Sequence, residues 1–579
     1  MYLFELFRSF LPYHNPIGFG VSDFVLLAFA ILLGSLALLS NRRGETAFRK
    51  FSERTGWCML VLTVLPIALR LALLRNHPAP TPSGADDFSY LLLADTLRHF
   101  RLANPVHALH QFFETNFVLQ QPSYSSIYPL VPALPLAFGQ LLFGIPWAGV
   151  LLSEGMVAGF CYWMLRGWTT SSWALVGGLL AVFEFGPLCY AMNCYWGGAV
   201  SALAGCLVFG ALPRLRQEYP ARTALLLGCG LGLQMLSRPY ESLLLDFSVL
   251  LFFAPALRDA GERRRLSKAM AITVCAIVPA VVLVLLQNKA VTGAWTTLPY
   301  QLSRYRYAVP TTFTFQPNAM AHGSLTNDQE LYALGQAQAH GEQTETPARY
   351  LMRLSHRVGA YRFFLLPPLY LVLPLCLLSA RQFRYAWVIV TLAIFALGSN
   401  FYPYFFPHYI AAVTCLFVLL CVAGLQRLSQ VRLRGVAVGV DAARWILMLC
   451  AAQFLFWYGL HLFGNENVLV AIAPYESGDN INFDDPEGRI AINDQLAGAP
   501  GKQLVFVRYS PQHQYHEWIH NAADIDGARV VWANDLGVSQ NRELEHYFPG
   551  RRVWLLEPDV YPPKLTSYET NVNPFSNIQ

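Results

Sequence analysis

The residues best suited to chemistry are two adjacent carboxylates, Asp86 and Asp87. They follow the Pro/Gly-rich turn His77-Pro-Ala-Pro-Thr-Pro-Ser-Gly84. Neighbouring carboxylates at a membrane interface can take a proton from a hydroxyl, or bind a divalent cation such as Mg or Mn. Capping of a following helix is the competing structural use. That helix is expected, because Phe88, Leu91, Leu92, Leu97 and Phe100 are apolar while Asp95, Arg98 and His99 are polar, the pattern of an amphipathic surface helix.

Other candidate groups lie apart in sequence. Arg238 and Glu241, in Ser237-Arg-Pro-Tyr-Glu241, sit at the outer end of an apolar run. Charge there is either functional or satisfied as an ion pair. His408-Tyr409 follows the aromatic loop 400–407, and Arg304 and Arg306 alternate with tyrosines. All of these suit a phosphate or a sugar, and all equally suit an aromatic, headgroup-facing belt. His107, His110 and Glu114 are spaced by three and four, which on a helix gives one polar face. Finally, His516-Glu517-Trp-Ile-His520 matches H-E-x-x-H, which on a helix would place two His for zinc and a Glu as base. Only three of its positions are fixed, and no metzincin extension follows.

The elements that must position these groups follow from composition. The chain has 579 residues, 54% hydrophobic and 13% charged. Soluble proteins carry about 25% charge, and here the apolar residues come in long runs, so the chain is a polytopic membrane protein. A span needs about 20 apolar residues. Twelve are expected: 20–40, 57–75, 147–165, 171–190, 196–213, 222–236, 240–257, 268–287, 362–380, 385–399, 408–426 and 441–463. The stretch 129–145 is short and carries three prolines and a Gln. Reading it as a juxtamembrane or re-entrant helix on the non-cytoplasmic face keeps basic clusters such as Arg258/Arg263/Arg264/Arg265/Lys268 and Arg427/Arg432/Arg434 on one, cytoplasmic side. Two loops, 76–146 and 288–361, and a tail, 464–579, then share the opposite face.

The tail is expected to fold as a small α/β domain after a membrane domain of 1–463. Apolar runs at 504–508, 529–533 and 552–556 alternate with helical stretches near 513–523 and 540–548, a βαβ pattern. It has no Gly-rich phosphate loop. The eleven cysteines lie in or beside apolar runs and offer neither a disulfide framework nor a zinc site. Met1–Pro12 lacks the cleavage pattern of a signal peptide. The net charge of +5 does not indicate nucleic acid.

Several stretches resemble one superfamily almost end to end. They are Asp86-Asp-Phe-Ser-Tyr-Leu-Leu, Arg101-Leu-Ala-Asn-Pro105, Gln120-Gln-Pro-Ser-Tyr124, Asn193-Cys-Tyr-Trp-Gly-Gly198, Ser237-Arg-Pro-Tyr-Glu241 and His408-Tyr409. Together with an outer loop headed by an acidic pair, the chain resembles the C-type glycosyltransferases, closest to the bacterial protein-mannosyltransferase and aminoarabinose-transferase-like enzymes. The resemblance implies an all-α polytopic fold, a polyprenyl-phosphate sugar donor, inversion at the anomeric carbon, and a catalytic carboxylate in the first outer loop. Asp86 takes the place of the leading acid, with Asp87 orienting it or sharing a metal.

The sequence departs from the family at Ile127-Tyr128-Pro129-Leu130-Val131-Pro132, and Asn193 stands where some relatives have a second acid. The expected function is glycosyl transfer to a glycan, lipid or protein acceptor at the periplasmic face of a bacterial inner membrane. Arg238, Glu241, His408, Tyr409, Arg304, Arg306, His107, Glu114, Gln121 and Tyr124 are the expected substrate contacts. The competing readings are a flippase of lipid-linked sugar, for which Arg70 is the clearest intramembrane charge, and a membrane-anchored zinc peptidase.

Overall fold

The structure is a computed structural model. It describes residues 21–39, 42–218, 220–341, 345–472, 481, 485, 487–513 and 516–568. The expectation for Met1–Pro12 lies outside the described residues. Among those described, seven helices are long and apolar enough to cross a membrane: Thr55–Ala72, Pro146–Leu165, Ala199–Gln217, Pro239–Arg258, Ala260–Thr292, Pro407–Ser429 and Val438–Phe463. Val25–Ser35, Ala133–Phe143, Ser171–Phe185 and Phe383–Ser399 are shorter apolar helices. The chain is a multi-pass, mostly helical membrane protein.

It divides into two compact units. The first comprises Met1–Ala79, Trp147–Val282 and Glu345–Asn482, and holds most of the apolar helices. Its core runs from Cys58 and Leu62 through Tyr162, Phe209 and Phe252 to Phe395 and Leu419. Helices in lipid gain little from apolar burial against one another, so close backbone approach through small residues matters. Gly155 and Gly159 show this: a Cβ at Gly155 would lie 2.5 Å from the Thr63 carbonyl, and one at Gly159 would lie 2.8 Å from that of Met59.

One expected span is not a continuous helix. Residues 362–380 form separate short turns, Gly359–Phe364, Pro367–Leu371, Leu373–Cys376 and Leu377–Arg381. Pro367, Pro368 and Pro374 each remove an amide donor and clash with the preceding turn.

The second unit comprises Pro80–Pro146, Leu283–Thr344 and Phe483–Gln579, so both outer loops fold with the tail. The tail contributes a sheet of β3 (Gln503–Val507), β4 (Val530–Asn534), β5 (Arg552–Glu557) and β6 (Lys564–Ser567), ordered β4-β3-β5-β6. β3 pairs in parallel with β4 and β5, and β6 is antiparallel to β5. Leu504, Phe506, Val531 and Ala533 on one face of the sheet pack with Leu92, Phe112, Phe113 and Tyr124 of the first outer loop. That loop holds helix Ala85–Arg98, the two-residue ladder β1 (Val118–Leu119) with β2 (Ser125–Ser126), and helix Ala133–Phe143. The last has 11 residues, about half the length of a span.

The strands at 504–508, 529–533 and 552–556 and the helix near 540–548 form as the sequence indicates, the helix as Val538–Tyr547. The stretch 513–523 does not: its described residues have no helix. Glu517 explains this. Its Oε1 accepts the backbone N–H groups of Trp518 and Ile519 at 3.1 and 3.0 Å, and such local side-chain bonds compete with a helix.

Candidate functional site in the first outer loop

Gly84 caps helix Ala85–Arg98, and Asp86 and Asp87 occupy its first turn, where the helix dipole favours negative charge. The two carboxylates have different jobs. Asp87 is buried, and its Oδ2 accepts N–H groups from Gly84 at 3.2 Å and Ser83 at 3.3 Å. It holds the turn. Asp86 is half-buried, and its Oδ1 accepts a hydrogen bond from the Tyr128 hydroxyl.

Tyr128 is held from several sides. Its ring stacks on Tyr90, with centroids 4.2 Å apart, and meets Phe117 and Tyr300 edge-on. Its carbonyl accepts from Gln287 Nε2 at 2.9 Å. Burial, and then the Asp86 charge, pushes the phenol well above its usual range, so it remains a donor. Ser89 ties helix to ladder: its hydroxyl donates to the Phe117 carbonyl at 2.7 Å and lies 2.7 Å from Ser126 Oγ. Sequence reasoning missed Tyr128 as a partner of the acidic pair. The available signal was an aromatic hydroxyl preceding a proline in the same loop as the acids.

The other expected contacts in this unit have structural partners. His107, His110 and Glu114 do not share a helical face, because only His110–Phe113 coils, as a single tight turn. His107 points instead to Asp526, 3.1 Å away. His110 lies 2.7 Å from Gln121 Nε2 and 3.8 Å from Glu114. Glu114 is pushed up by burial and takes hydrogen bonds from Tyr307 and Gln329. Arg306 acts on Glu114 through its charge. Arg304 donates to the carbonyls of Pro310 and Thr311. Tyr124 donates to the Asn521 carbonyl at 3.1 Å.

The H-E-x-x-H segment is not a zinc motif in three dimensions. His516 is exposed and pairs with Glu487 at 3.1 Å. His520 is half-buried, stacked between Phe88 and Trp532, and desolvation pushes it down to about 3. Glu517 is buried, with Oε1 accepting from Tyr509 at 2.6 Å. Among the described residues no three His, Cys, Asp or Glu side chains are placed to share a metal ion. Asp86 and Asp87 bond to separate partners.

Glu517 belongs to a buried polar node. Asp328 accepts from Asn116 at 2.6 Å and lies 3.9 Å from His513, whose other ring nitrogen is 2.6 Å from Asp559. Burial beside the Glu517 charge pushes Asp328 up to about 8. A carboxyl raised above its unfolded value favours folding most at low pH, and that contribution is lost as pH rises toward 8. Asp328→Asn is therefore expected to raise the unfolding temperature at pH 8 and to change it little at pH 4. Thermal unfolding of the purified protein at both values checks this, and an equal shift at both would contradict it.

In the first unit, Arg238 and Glu241 form the ion pair weighed above, 3.2 Å apart, with Tyr402 donating to the same Glu241 oxygen at 3.2 Å. The Arg238 guanidinium also stacks over Tyr409, 4.7 Å from its centroid. His408 is buried, within electrostatic reach of Arg238 and packed against Trp196, Phe406 and Tyr409. Arg238, Glu241, His408 and Tyr409 thus form one cluster. Arg70 is fully buried and donates to Asn193 Oδ1 at 2.6 Å and to the carbonyls of His77 and Pro78. Its charge fastens the end of a helix, which takes away the feature that favoured a transporter.

No protein-family model matches the sequence, and no curated protein matches it. Solved structures do. ArnT from Cupriavidus metallidurans bound to undecaprenyl phosphate matches with a TM-score of 0.51 at 13% identity, covering 88% of this chain and 94% of that one. Its apo state gives 0.49 at 14%, over 87% and 93%. The oligosaccharyltransferase of Archaeoglobus fulgidus with zinc and sulfate gives 0.43 at 12%, over 86% and 67%. At such identities the likeness is one of fold, carried by the first of these matches: this chain has the fold of the C-type (GT-C) glycosyltransferases.

Proposed function

We propose that the protein is a membrane glycosyltransferase that moves a sugar, with inversion, from a polyprenyl-phosphate donor to a hydroxyl acceptor at the periplasmic face of a bacterial inner membrane. The observation that carries this reading is Asp86, an accessible carboxylate at the first turn of an outer-loop helix, oriented by a phenol that stays protonated. The GT-C fold and the undecaprenyl phosphate bound by ArnT support it.

Asp86 accepts the acceptor's proton as the glycosyl bond forms, and Tyr128 keeps its carboxylate aimed. The departing phosphate carries the developing charge and needs a cation. In the first unit, the cluster of Arg238, held by Glu241 and Tyr409, with His408 beside it, has the charge that suits a lipid phosphate. Asp87 keeps the loop turned through its bonds to Ser83 and Gly84. Arg304, His107, Glu114, Gln121 and Tyr124 shape the second unit through their hydrogen bonds and ion pairs, and Arg306 through its charge beside Glu114.

Native mass spectrometry of the purified full-length protein with undecaprenyl phosphate tests the donor assignment. Arg238→Ala is expected to weaken binding about tenfold, the scale of one charged hydrogen bond. Unchanged affinity would remove Arg238 from the phosphate site.

A further inference from the structure

Glu154 lies within helix Pro146–Leu165 and is buried. The described residues offer it no hydrogen bond and no ion pair. An ionised carboxylate at this depth is costly, and such residues in membrane segments face partners or polar cavities. Glu154 faces a cavity of about 30 Å³, also lined by Tyr190, His408, Phe185, Phe363 and Thr414. About 10–15 Å³ is enough for one water, provided that polar groups are there to bind it. This cavity therefore has room for about two, with Glu154, His408 and Tyr190 among its lining residues. The Tyr190 hydroxyl is 3.5 Å from His408 Nδ1.

The position of Glu154 is built in. The next residue, Gly155, and Gly159 one turn on both press against helix Thr55–Ala72, so the helix cannot turn the carboxyl elsewhere. The charged group acting on His408 besides the cavity is Arg238, and the titratable hydroxyls beside the ring are Tyr190 and Tyr409. Arg238 alone would oppose an imidazolium. A carboxyl across the cavity changes that balance.

We propose that Glu154 is the positioning partner of His408: a carboxyl and an imidazole share one proton through water, and an arriving phosphate draws that proton to the ring. With the proton on Glu154 both groups are neutral. With it on His408 they form a neutral pair of opposite charges, so neither state leaves an isolated charge in the membrane. The phosphate thus meets an N–H donor next to Arg238, and no proton crosses from outside. The inference rests on His408 as a phosphate contact.

The test is undecaprenyl phosphate affinity of the full-length protein as wild type, Glu154→Gln, Glu154→Asp, His408→Gln and the Gln/Gln double variant, each with its melting temperature. Glu154→Gln is expected to weaken binding about tenfold, while Glu154→Asp, shorter but still acidic, retains affinity within about threefold because water spans the gap. A packing role predicts the reverse order, since Gln keeps the volume and Asp does not. The double variant should bind no more weakly than His408→Gln alone, because each single change breaks the same unit. Glu154→Gln at wild-type affinity beside a weakened His408→Gln would overturn the pairing alone. Wild-type affinity in His408→Gln would overturn the phosphate reading of His408 and the pairing with it.

Discussion

Replacing Asp86 by Asn is expected to lower sugar transfer about 10²–10⁴-fold, the range that a positioned general base contributes. Asn keeps the shape of the side chain and still accepts the Tyr128 hydrogen bond, but it cannot take a proton. Asp87→Asn is expected to be much milder. Its amide oxygen can still receive the Ser83 and Gly84 N–H groups, so the loss is confined to part of a cap, about 1 kcal/mol. Tyr128→Phe should fall between them, at about tenfold, because it removes one hydrogen bond to a charged group. The ordering of the three separates chemistry from scaffolding. Envelope glycans compared by mass spectrometry with and without the gene would identify the transferred sugar, and transfer in membranes matched for protein amount would rank the variants. Full activity in Asp86→Asn would eliminate Asp86 as the base.

The second large effect is on stability. Arg70 has no exposed surface and makes three hydrogen bonds, to Asn193, His77 and Pro78, beneath the Trp147 ring at 4.7 Å. Arg70→Met would take the donor from all three acceptors, two of them buried, at about 1–3 kcal/mol for each buried one. Removing a buried charge returns part of that, so a net loss of several kcal/mol is expected. Asn193→Ala should cost less, about 1.5–3 kcal/mol for one bond to a charged donor. Asn193→Asp should be tolerated, because it exchanges a neutral acceptor for an ion pair. Thermal unfolding of the detergent-purified protein measures all three. An unchanged transition in Arg70→Met would show that the Arg70 bonds are dispensable and return the residue to consideration as part of a transport path. The same contact gives Asn193 a structural role: it holds a helix end.

Local pattern was enough for much of this protein. Long apolar runs with few charges specify membrane helices, since the bilayer forces every backbone group to be satisfied within the segment. Short apolar runs in the tail located β3, β4 and β5 within a residue or two, and the acidic pair at a helix start was evident from the Pro/Gly turn before it. The prolines of 362–380 were also visible, yet apolarity outweighed them in reading a single span. At His516–His520 the letters suggested a helix, but the Glu517 carboxylate captured the amides that a helix would have used.

What only the tertiary structure decided is which distant side chains meet. Tyr128 reaches Asp86 across 42 residues, Asn193 reaches Arg70 across 123, and Glu154 opens onto the same cavity as His408. Hydropathy and spacing record how one segment meets its solvent and its own backbone, with periods of 2 and 3.6 residues. They carry no record of which polar groups packing will bring together. Those pairings are set by close approach of whole helices, as at Gly155 and Gly159, and by the need to satisfy every polar group left inside.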